Sequence, residues 1–387
     1  MRWRAAALLV GAATALVGSR SPAQQRPAPA DVWFFRPLFY PSYDGGDEGL
    51  AGHLSIAFRK GGNRRPPANS KSISLDTRLA TSGTRGATLT FDAPGYWPDW
   101  RLLWQVGSER LQRAPFYGAG NSSTLSDSFP TRYYRYSLLR TTLLAAAQRR
   151  IAGPLRLHAA AQWRHYHARP LEDSTAFAKY LGPATATDTM PQSIVEARVG
   201  LLFDTRDFEG SPSRGVLVEA MVDRAVSGAT YTRRLLSARE FIPLGEYQQT
   251  VLAFRQTAEL ADRTLPIPVA YERLTTWYPD DGFGGATSLR LFAPGRFVAP
   301  NRAVASADWR YKWLDAPFPT SPIRVWLLAF ADAGRLWNVG ETPTLSSLHW
   351  DGGIGARIQF GKGTLFGLDL GRTSERFGFA LGTTFAF

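Results

Sequence analysis

The C-terminal stretch FGFALGTTFAF, from Phe377 to Phe387, alternates large and small side chains without interruption. Every second residue would lie on one face of an extended chain, and that series is Phe377, Phe379, Leu381, Thr383, Phe385 and Phe387. A period of two is the period of a β-strand. Because an unpaired strand this hydrophobic would aggregate, the stretch predicts a strand that pairs with another. Closure onto the first strand of the same sheet provides that partner.

The same alternation separates charged from apolar residues in upstream segments. Within 302–313 the even positions are Arg302, Val304, Ser306, Asp308, Arg310 and Lys312, and the odd positions are alanine, tryptophan or tyrosine. The segment 194–205 has the same pattern. A membrane barrel needs one apolar and one polar face, but a soluble β-sandwich produces the same alternation with its apolar face inward. Aromatic residues at strand ends, as at Trp309 and Trp313, favour the membrane barrel.

Counting such segments gives sixteen strands, an even number as in single-chain bacterial barrels. They are expected near 32–43, 50–60, 71–82, 85–94, 100–111, 132–149, 155–168, 193–205, 214–226, 230–244, 248–260, 302–313, 323–337, 348–360, 364–373 and 377–387. The predicted fold class is all-β, a 16-stranded antiparallel transmembrane β-barrel. Short turns alternate with longer loops at 112–131, 169–192 and 261–301, as periplasmic turns alternate with external loops. The longest loop, 261–301, joins the eleventh and twelfth strands, and a loop of that length is usually functional.

The N-terminus has the pattern of an export signal. Arg2 and Arg4 precede an apolar stretch, Ala5–Val17, and a small-x-small cleavage site follows at Ser21-Pro22-Ala23. The apolar stretch is shorter than the roughly 20 residues that a transmembrane helix needs. We therefore predict a signal peptide over 1–23, a periplasmic lead-in over 24–31 and a barrel over 32–387, located in the bacterial outer membrane.

Composition excludes several kinds of chemistry. The chain has no cysteine, and therefore no disulfide, thiolate nucleophile or cysteine-bound metal. Its formal net charge is +13, but basic residues alternate with apolar ones behind an export signal, so we expect a basic lumen or contact with anionic lipid, and no nucleic acid. His165 and His167 share a strand face without a third ligand at metal spacing. Because nucleophile-elbow, P-loop and dinucleotide motifs are also missing, we expect no enzyme, metal or cofactor.

Four segments of the C-terminal half resemble the bacterial surface-antigen superfamily, which includes the outer-membrane barrel-assembly factors. They are Asp204-Thr205-Arg206-Asp207 with Pro212-Ser213-Arg214-Gly215, the stretch Gly284–Phe292, the stretch Phe330–Trp337, and the terminal strand. Their order and spacing match strands eight to sixteen of that family. Upstream, the strand pattern and the segment Phe116–Asn121 (FYGAGN) are similar to it. The terminal strand ending in Phe387 also resembles the sorting signal of outer-membrane barrels.

The resemblance implies a lumenal site on the 261–301 loop, which would fold toward the lumen. Its tip residues would be Gly284, Gly285, Arg290 and Phe292, with Asp308 and Asp332 as the acidic partners of Arg290. A guanidinium in a lumen needs such partners, because an unpaired desolvated charge costs roughly 3–5 kcal/mol. The alternative is a solvated loop arginine.

Two features depart from the family pattern or complicate it. The glycine that follows the arginine in the family is Leu291 here, which would alter how the tip turns. Asp308 shares its parity with polar residues, whereas Asp332 shares its parity with Trp326, Leu328 and Phe330.

The turn motif after the eighth strand is formed by Asp204, Arg206, Asp207, Arg214 and Gly215. These are turn-forming residue types, and the two arginines can pair locally with Asp204, Asp207 or Glu209. We predict a structural role for the motif rather than contact with a substrate.

The first predicted strand contains Pro37 and Pro41. Proline cannot donate to a ladder and is confined to strand edges. We therefore expect a weakly paired seam between this strand and the terminal strand with Phe379, Phe385 and Phe387, similar to the lateral gate of the family. The alternative is that both prolines belong to a lead-in and that the barrel starts later.

The resemblance implies that the chain assists insertion or translocation of polypeptide, or lipid, at the outer membrane through this seam. Expected partners are outer-membrane lipid, client polypeptides and a separate periplasmic partner, because no periplasmic polypeptide-transport-associated repeat fits before the predicted barrel. A patatin-like lipase domain is not expected either. The alternatives are a passive or solute-selective pore lined by basic residues, and a structural surface protein without flux.

Overall fold

A computed structural model describes residues 33–43, 50–60, 70–94, 96–182, 192–245, 249–276, 280–285, 287–317, 323–360, 364–382, 385 and 387. The predicted signal peptide (1–23) and lead-in (24–31) lie outside the described residues.

Sixteen strands form one antiparallel sheet in which each strand pairs with its neighbours in chain order. They are β1 Trp33–Tyr43, β2 Leu50–Lys60, β3 Lys71–Ala80, β4 Arg85–Pro94, β5 Trp100–Pro115, β6 Arg135–Ala152, β7 Leu155–Pro170, β8 Gln192–Asp204, β9 Gly215–Ser227, β10 Thr232–Leu244, β11 Thr250–Ala261, β14 Asn301–Ala316, β15 Ile323–Trp337, β16 His349–Phe360, β17 Thr364–Thr373 and β18 Phe377–Gly382. A two-stranded hairpin of β12 Glu272–Arg273 and β13 Asp280–Asp281 lies between β11 and β14. The predicted all-β, sixteen-stranded antiparallel architecture is confirmed.

The longest connections lie at one end of the sheet, called the loop end here, and the opposite end is the turn end. The loop end contains a 3-10 helix over Thr131–Tyr134, helix α1 over Ala176–Leu181 and helix α2 over Ile267–Tyr271. None of the helices in the described part of the chain is long and apolar enough to cross a membrane.

The direction of the apolar face decides between a barrel and a sandwich. On β14, Trp313 is 65% exposed and Trp309 is also exposed, whereas Asp308 and Arg310 on the alternate face are buried. Exposed apolar side chains recur on other strands, as at Val199, Ile354 and Leu381. A soluble sandwich would bury these side chains. An apolar exterior around a polar interior is the arrangement of a transmembrane barrel.

The first strand includes both prolines in its ladder. β1 pairs with β2 along its whole length, with Pro37 opposite Ile56 and Pro41 opposite Gly52. The prolines therefore lie within the sheet and not in a lead-in. Within the described residues, no ladder joins β1 to β18.

The terminal strand differs from its prediction. β18 ends at Gly382, which pairs with Gly367, and Phe379 faces outward as expected. Phe385, however, is buried in an interior cluster that also contains Phe241, Val251, Ala253, Trp326, Leu328 and Leu365, and Phe387 packs against this cluster. The sequence pattern placed Phe379 and Phe385 on one face of a single strand, whereas in the structure Phe379 is exposed and Phe385 is buried.

Interior arginines explain why the C-terminus turns inward. The guanidinium of Arg310 lies 4.3 Å from the ring centre of Phe385 and 5.2 Å from that of Phe387. Arg255 lies 4.9 Å from the ring centre of Phe387. Cation–π attraction and apolar burial together favour the interior position.

Candidate functional site

The lumenal loop, residues 262–300, turns back on itself at two glycines. Gly284 and Gly285 have φ angles of +107° and +100°, a region that favours glycine. A Cβ at Gly284 would lie 2.6 Å from the carbonyl oxygen of Ala293. The backbone N–H of Gly284 donates to Ser288 Oγ at 2.8 Å. These contacts fold the tip so that the following residues enter the interior.

At the tip, Arg290 forms the arginine lock with Asp308 on β14 and Asp332 on β15. Its Nε donates to Asp332 Oδ2 at 2.6 Å, and its Nη2 donates to Asp308 Oδ1 at 2.8 Å and to Asp332 Oδ1 at 3.0 Å. The guanidinium also lies 4.2 Å from the ring centre of Phe330. Arg290 is 1% exposed. The structure thus places Arg290 against two acids and not in solvent.

The electrostatics of the arginine lock favour the charged arginine. Burial alone would lower the pKa of Arg290, but the nearby carboxylates of Asp308 and Asp332 outweigh burial and raise it above its ordinary value. Asp308 also accepts hydrogen bonds from Arg310 at 3.0 and 3.1 Å. A buried pair satisfied in this way is strongly destabilised when one partner is removed.

Asp332 faces the interior together with the apolar residues of the same parity. Trp326, Leu328, Phe330 and Asp332 are all buried on the interior face of β15. Asp332 shares alternate positions with apolar residues because the interior face of β15 is apolar toward the turn end and acidic toward the loop end.

A third acid, Asp351 on β16, was missed from the sequence. It lies opposite Asp332 in the β15–β16 register, and its Oδ2 accepts the backbone N–H of Leu291 at 3.1 Å. Leu291, the departure from the family glycine, is buried and reaches β18, where a Cβ on Gly378 would lie 2.7 Å from the Leu291 carbonyl oxygen. The alternation of β16 could have identified Asp351 as an interior acid.

The remaining tip residue, Phe292, is part of an apolar cluster below the loop end. Its ring centre lies 5.3 Å from that of Phe297 and 6.1 Å from that of His349. The cluster also contains Phe283, Leu289, Ala299, Val304 and Leu336. It joins the loop tip to β14 and β15 by packing.

A second set of contacts, the glutamate hub, holds the middle of the lumenal loop. Arg164 Nη1 on β7 donates to Glu272 Oε2 at 2.5 Å. The backbone carbonyl of Glu272 accepts from Arg302 Nη2 at 2.7 Å and from Arg233 Nη1 at 3.2 Å. Sequence reasoning missed this hub. The inward parity of its arginines was visible, but their common partner on the loop was not.

Acids on β8 and β9 extend the glutamate hub along the interior wall. Glu196 accepts from Arg164 Nε at 2.8 Å and from Tyr231 Oη at 2.6 Å. Asp223 accepts from Arg198 Nε at 3.2 Å and from Arg233 Nη2 at 2.9 Å. Many of the interior basic residues therefore belong to ion pairs, which is how a basic lumen is tolerated at this degree of burial.

The turn motif at 204–215 is held by hydrogen bonds among its own residues. Arg206 Nε and Nη2 each donate to the carboxylate of Asp204 at 2.9 Å. Burial alone would lower the pKa of Arg206, but the hydrogen bonds and the charge of Asp204 outweigh burial. The pKa of Arg206 is therefore raised above its ordinary value. Asp207 Oδ1 accepts the backbone N–H groups of Ser213 at 2.9 Å and Arg214 at 3.2 Å. The Arg214 side chain is exposed.

The same turn also crosses the turn end of the interior. Glu209 accepts from Arg101 Nη1 on β5 at 2.5 Å. Ser211 Oγ accepts from Gln359 Nε2 on β16 at 3.2 Å. The turn between β8 and β9 therefore touches two well-separated parts of the wall, which the sequence did not indicate.

Gly215→Ala is expected to disrupt this turn. Gly215 has a φ of +104°, and a Cβ there would lie 2.4 Å from the carbonyl oxygen of Thr205. The backbone must shift, and we expect a loss of about 1–3 kcal/mol in the free energy of unfolding. Urea unfolding in detergent, followed by tryptophan fluorescence, measures it. Gly245→Ala is the matched control, because its φ is +77° but its Cβ would meet no atom of the described residues within 4 Å. Equal losses in both variants would contradict the steric argument.

Together, the outward apolar face and the inward-folded loop define a transmembrane β-barrel whose interior is occupied by its own loop. The model of the Omp85 superfamily domain matches residues 69–385. The chain therefore belongs to the Omp85 superfamily, a family of bacterial outer-membrane barrels, and the resemblance drawn from its motifs is confirmed.

Solved structures support the same fold. The chain is similar to BamA from Haemophilus ducreyi lacking POTRA domains 1–3, with a TM-score of 0.57 and 14% identity over 92% of this chain and 70% of that chain. For CdiB from Acinetobacter baumannii the TM-score is 0.52 and the identity 11%, over 91% of this chain and 65% of that chain. For CdiB from Escherichia coli the TM-score is 0.55 and the identity 11%, over 89% of this chain and 60% of that chain. The chain thus spans less than two thirds of both CdiB chains. At these identities the likeness establishes the barrel fold alone. No curated protein matches the chain.

Proposed function

We propose that this barrel assists the insertion or translocation of polypeptide, or lipid, at the outer membrane through a lateral seam between β1 and β18. The observation that carries the proposal is an interior filled by the chain's own loop and turn, beside two strands that share no ladder among the described residues. A client that passes through the barrel wall requires only that β1 and β18 separate. A client that passes through the lumen requires that the lumenal loop leave the interior.

Three levels of contact obstruct the interior. The glutamate hub lies nearest the loop end, the arginine lock lies deeper on β14 and β15, and the turn carrying Glu209 crosses the turn end. Each level contains ion pairs with buried arginines. Displacing a buried pair leaves charges without partners, which is costly. This favours the lateral route.

The composition of β1 supports a weak seam. Pro37 and Pro41 have the same parity, so their nitrogens point to the same side of the strand. β1 pairs with β2 through both without a register shift, and a proline in a strand is tolerated where its missing N–H faces away from the paired neighbour. The missing donors are therefore expected on the side that would meet β18.

A passive or solute-selective pore is the second candidate, and one observation favours it. Two adjoining cavities of about 170 and 130 Å³ lie against the interior wall of β5 and β6, and both are lined by Glu109 and Arg140. Such volumes hold a few water molecules. Conductance of the purified protein in a planar bilayer separates the two candidates, because a pore conducts without displacement of the loop.

The partners follow from the proposed function. Outer-membrane lipid would surround the apolar exterior, client polypeptide would meet the seam, and a separate periplasmic protein would recruit the client. Family membership supports this set.

Locking the seam is expected to abolish assisted insertion. Because the chain has no native cysteine, one cysteine in β1 at position 36 and one in β18 at position 380 can be joined by bis-methanethiosulfonate linkers of stepped length. The readout is insertion of a urea-denatured eight-stranded barrel protein into liposomes, followed by heat-modifiable gel mobility. We expect at least a tenfold loss of insertion rate on linking, reversed by reductant.

The matched control links β1 to β2 at Leu38→Cys and Ser55→Cys, which face each other in the ladder. It introduces the same reagent without crossing the seam and should leave the insertion rate unchanged. Full activity of the protein linked at 36 and 380 would overturn the lateral route.

A further inference from the structure

The segment Phe116–Asn121 forms a cap across the loop end of the barrel. The backbone N–H of Gly120 donates to the carbonyl of Val298 at 2.8 Å, which joins the cap to the lumenal loop. Asn121 Oδ1 accepts the N–H of Leu336 at 3.0 Å, and its Nδ2 donates to the carbonyl of Ser347 at 2.9 Å. The cap thus extends from the β5–β6 connection to β15 and to the β15–β16 connection.

Arg296 of the lumenal loop fixes this cap to the last hairpin. Its Nη2 donates to Glu375 Oε1 at 2.6 Å and its Nε to Glu375 Oε2 at 3.2 Å. The same guanidinium donates to Ser123 Oγ at 2.9 Å and to the Ser123 carbonyl at 2.8 Å. Its carbon lies 4.5 Å from the ring centre of Phe297 and 5.1 Å from that of Tyr117. Arg296 is 1% exposed.

Glu375 lies in the turn between β17 and β18, and this turn is closed by hydrogen bonds to Thr373. Thr373 Oγ1 accepts the backbone N–H groups of Glu375 at 3.0 Å and Arg376 at 2.9 Å. The N–H of Thr373 donates to the carbonyl of Arg376 at 2.8 Å. A displacement of the Glu375 carboxylate is therefore transmitted to the start of β18 through the hydrogen bonds of the turn.

We propose that Arg296 and Glu375 form a clasp that makes opening of the loop-end cap and release of the last hairpin a single event. The inference rests on the proposed function, since it names the device that regulates the seam. A bidentate arginine–carboxylate pair is among the stronger hydrogen-bonded ion pairs, and its arginine is buried. The same guanidinium contacts both elements, so its loss removes a restraint from the cap and from the hairpin at once.

Charge reversal tests the clasp. Arg296→Glu and Glu375→Arg each place like charges against each other, and the double variant restores opposite charges with the order inverted. Hydrogen exchange of the purified full-length protein in detergent is measured by mass spectrometry over 116–130 and 374–382. We expect each single variant to exchange at least tenfold faster in both segments. The double variant should recover most of the protection over 374–382 and part of that over 116–130, because a glutamate at position 296 cannot donate to the Ser123 carbonyl.

The chain offers a matched control at the same end. Arg132 Nε pairs with Glu172 at 2.8 Å, and both side chains are more than half exposed. Arg132→Glu and Glu172→Arg should leave exchange at 374–382 unchanged. Heat-modifiable gel mobility identifies any variant that fails to fold, and Arg296→Lys, which keeps the charge without the bidentate geometry, then serves as the milder substitution.

Two results would overturn the clasp. One is faster exchange in only one of the two segments, which would show that cap and hairpin move independently. The other is a double variant no better protected than the single ones. Because exchange is measured without client or liposome, these results are distinguishable from failure of the insertion assay.

Discussion

Arg290→Ala is expected to free the tip of the lumenal loop and to destabilise the barrel. Asp308 and Asp332 would both lose the guanidinium that faces them in the buried interior. Removing one member of a buried ion pair costs about 3–5 kcal/mol, because the remaining charge is left uncompensated. Arg310 still neutralises part of Asp308, so Asp332 should account for most of the loss.

Two measurements check this prediction. Urea unfolding should show the loss of stability, and planar-bilayer conductance should rise at least tenfold as the tip leaves the interior. Arg324→Ala is the control, since Arg324 pairs with Asp315 at a partly exposed position, and surface pairs contribute about 0–1 kcal/mol. High conductance of the unmodified protein, with no response to Arg290→Ala, would support the passive pore and contradict the hypothesis that the lumenal loop blocks the interior.

Glu272→Ala is expected to have an effect of similar size through a different mechanism. Arg164 would lose a carboxylate at 2.5 Å in a buried position. Because it keeps Glu196 as a second buried partner, we expect a loss at the lower end of the range for a broken buried pair, about 3 kcal/mol. Glu272→Gln is the informative control, because the backbone carbonyl that Arg302 and Arg233 contact is unchanged. Its smaller effect would isolate the carboxylate.

Combining the two substitutions tests whether the arginine lock and the glutamate hub hold the same loop. With either one intact, the loop should remain partly in place. The double variant should therefore conduct more than the two single variants summed. A double variant that conducts no more than Arg290→Ala alone would show that the hub stabilises the wall and not the loop.

The local features of this protein were readable from its sequence. The strand 85–94 and the strand 323–337 were predicted with the bounds that the structure has, because alternation records which face meets lipid. The partners of Arg290 came from the family resemblance, and the structure places both acids on the interior face.

The interior contacts between distant residues were not readable. Glu272 and Arg164 are 108 residues apart in the chain, as are Glu209 and Arg101. Nothing in either local pattern specifies the partner, since charge alternation identifies an interior residue but not what it faces. The inward turn at Phe385 was missed for a related reason. Alternation continues through residues 383–387, and only the interior arginines and aromatic cluster show where the ladder ends.

The contacts that cross the interior have a mechanical consequence. A closed barrel keeps its circumference through an unbroken ring of hydrogen bonds, so opening one ladder would ordinarily let the cylinder flatten. Here the turn 205–214, the Glu272–Arg164 pair and the cap residue Asn121 brace the wall from within at three heights. The diameter then depends on internal struts rather than on the ring alone. The free energy needed to part β1 from β18 would then include only the contacts along the seam and not the collapse of the whole cross-section.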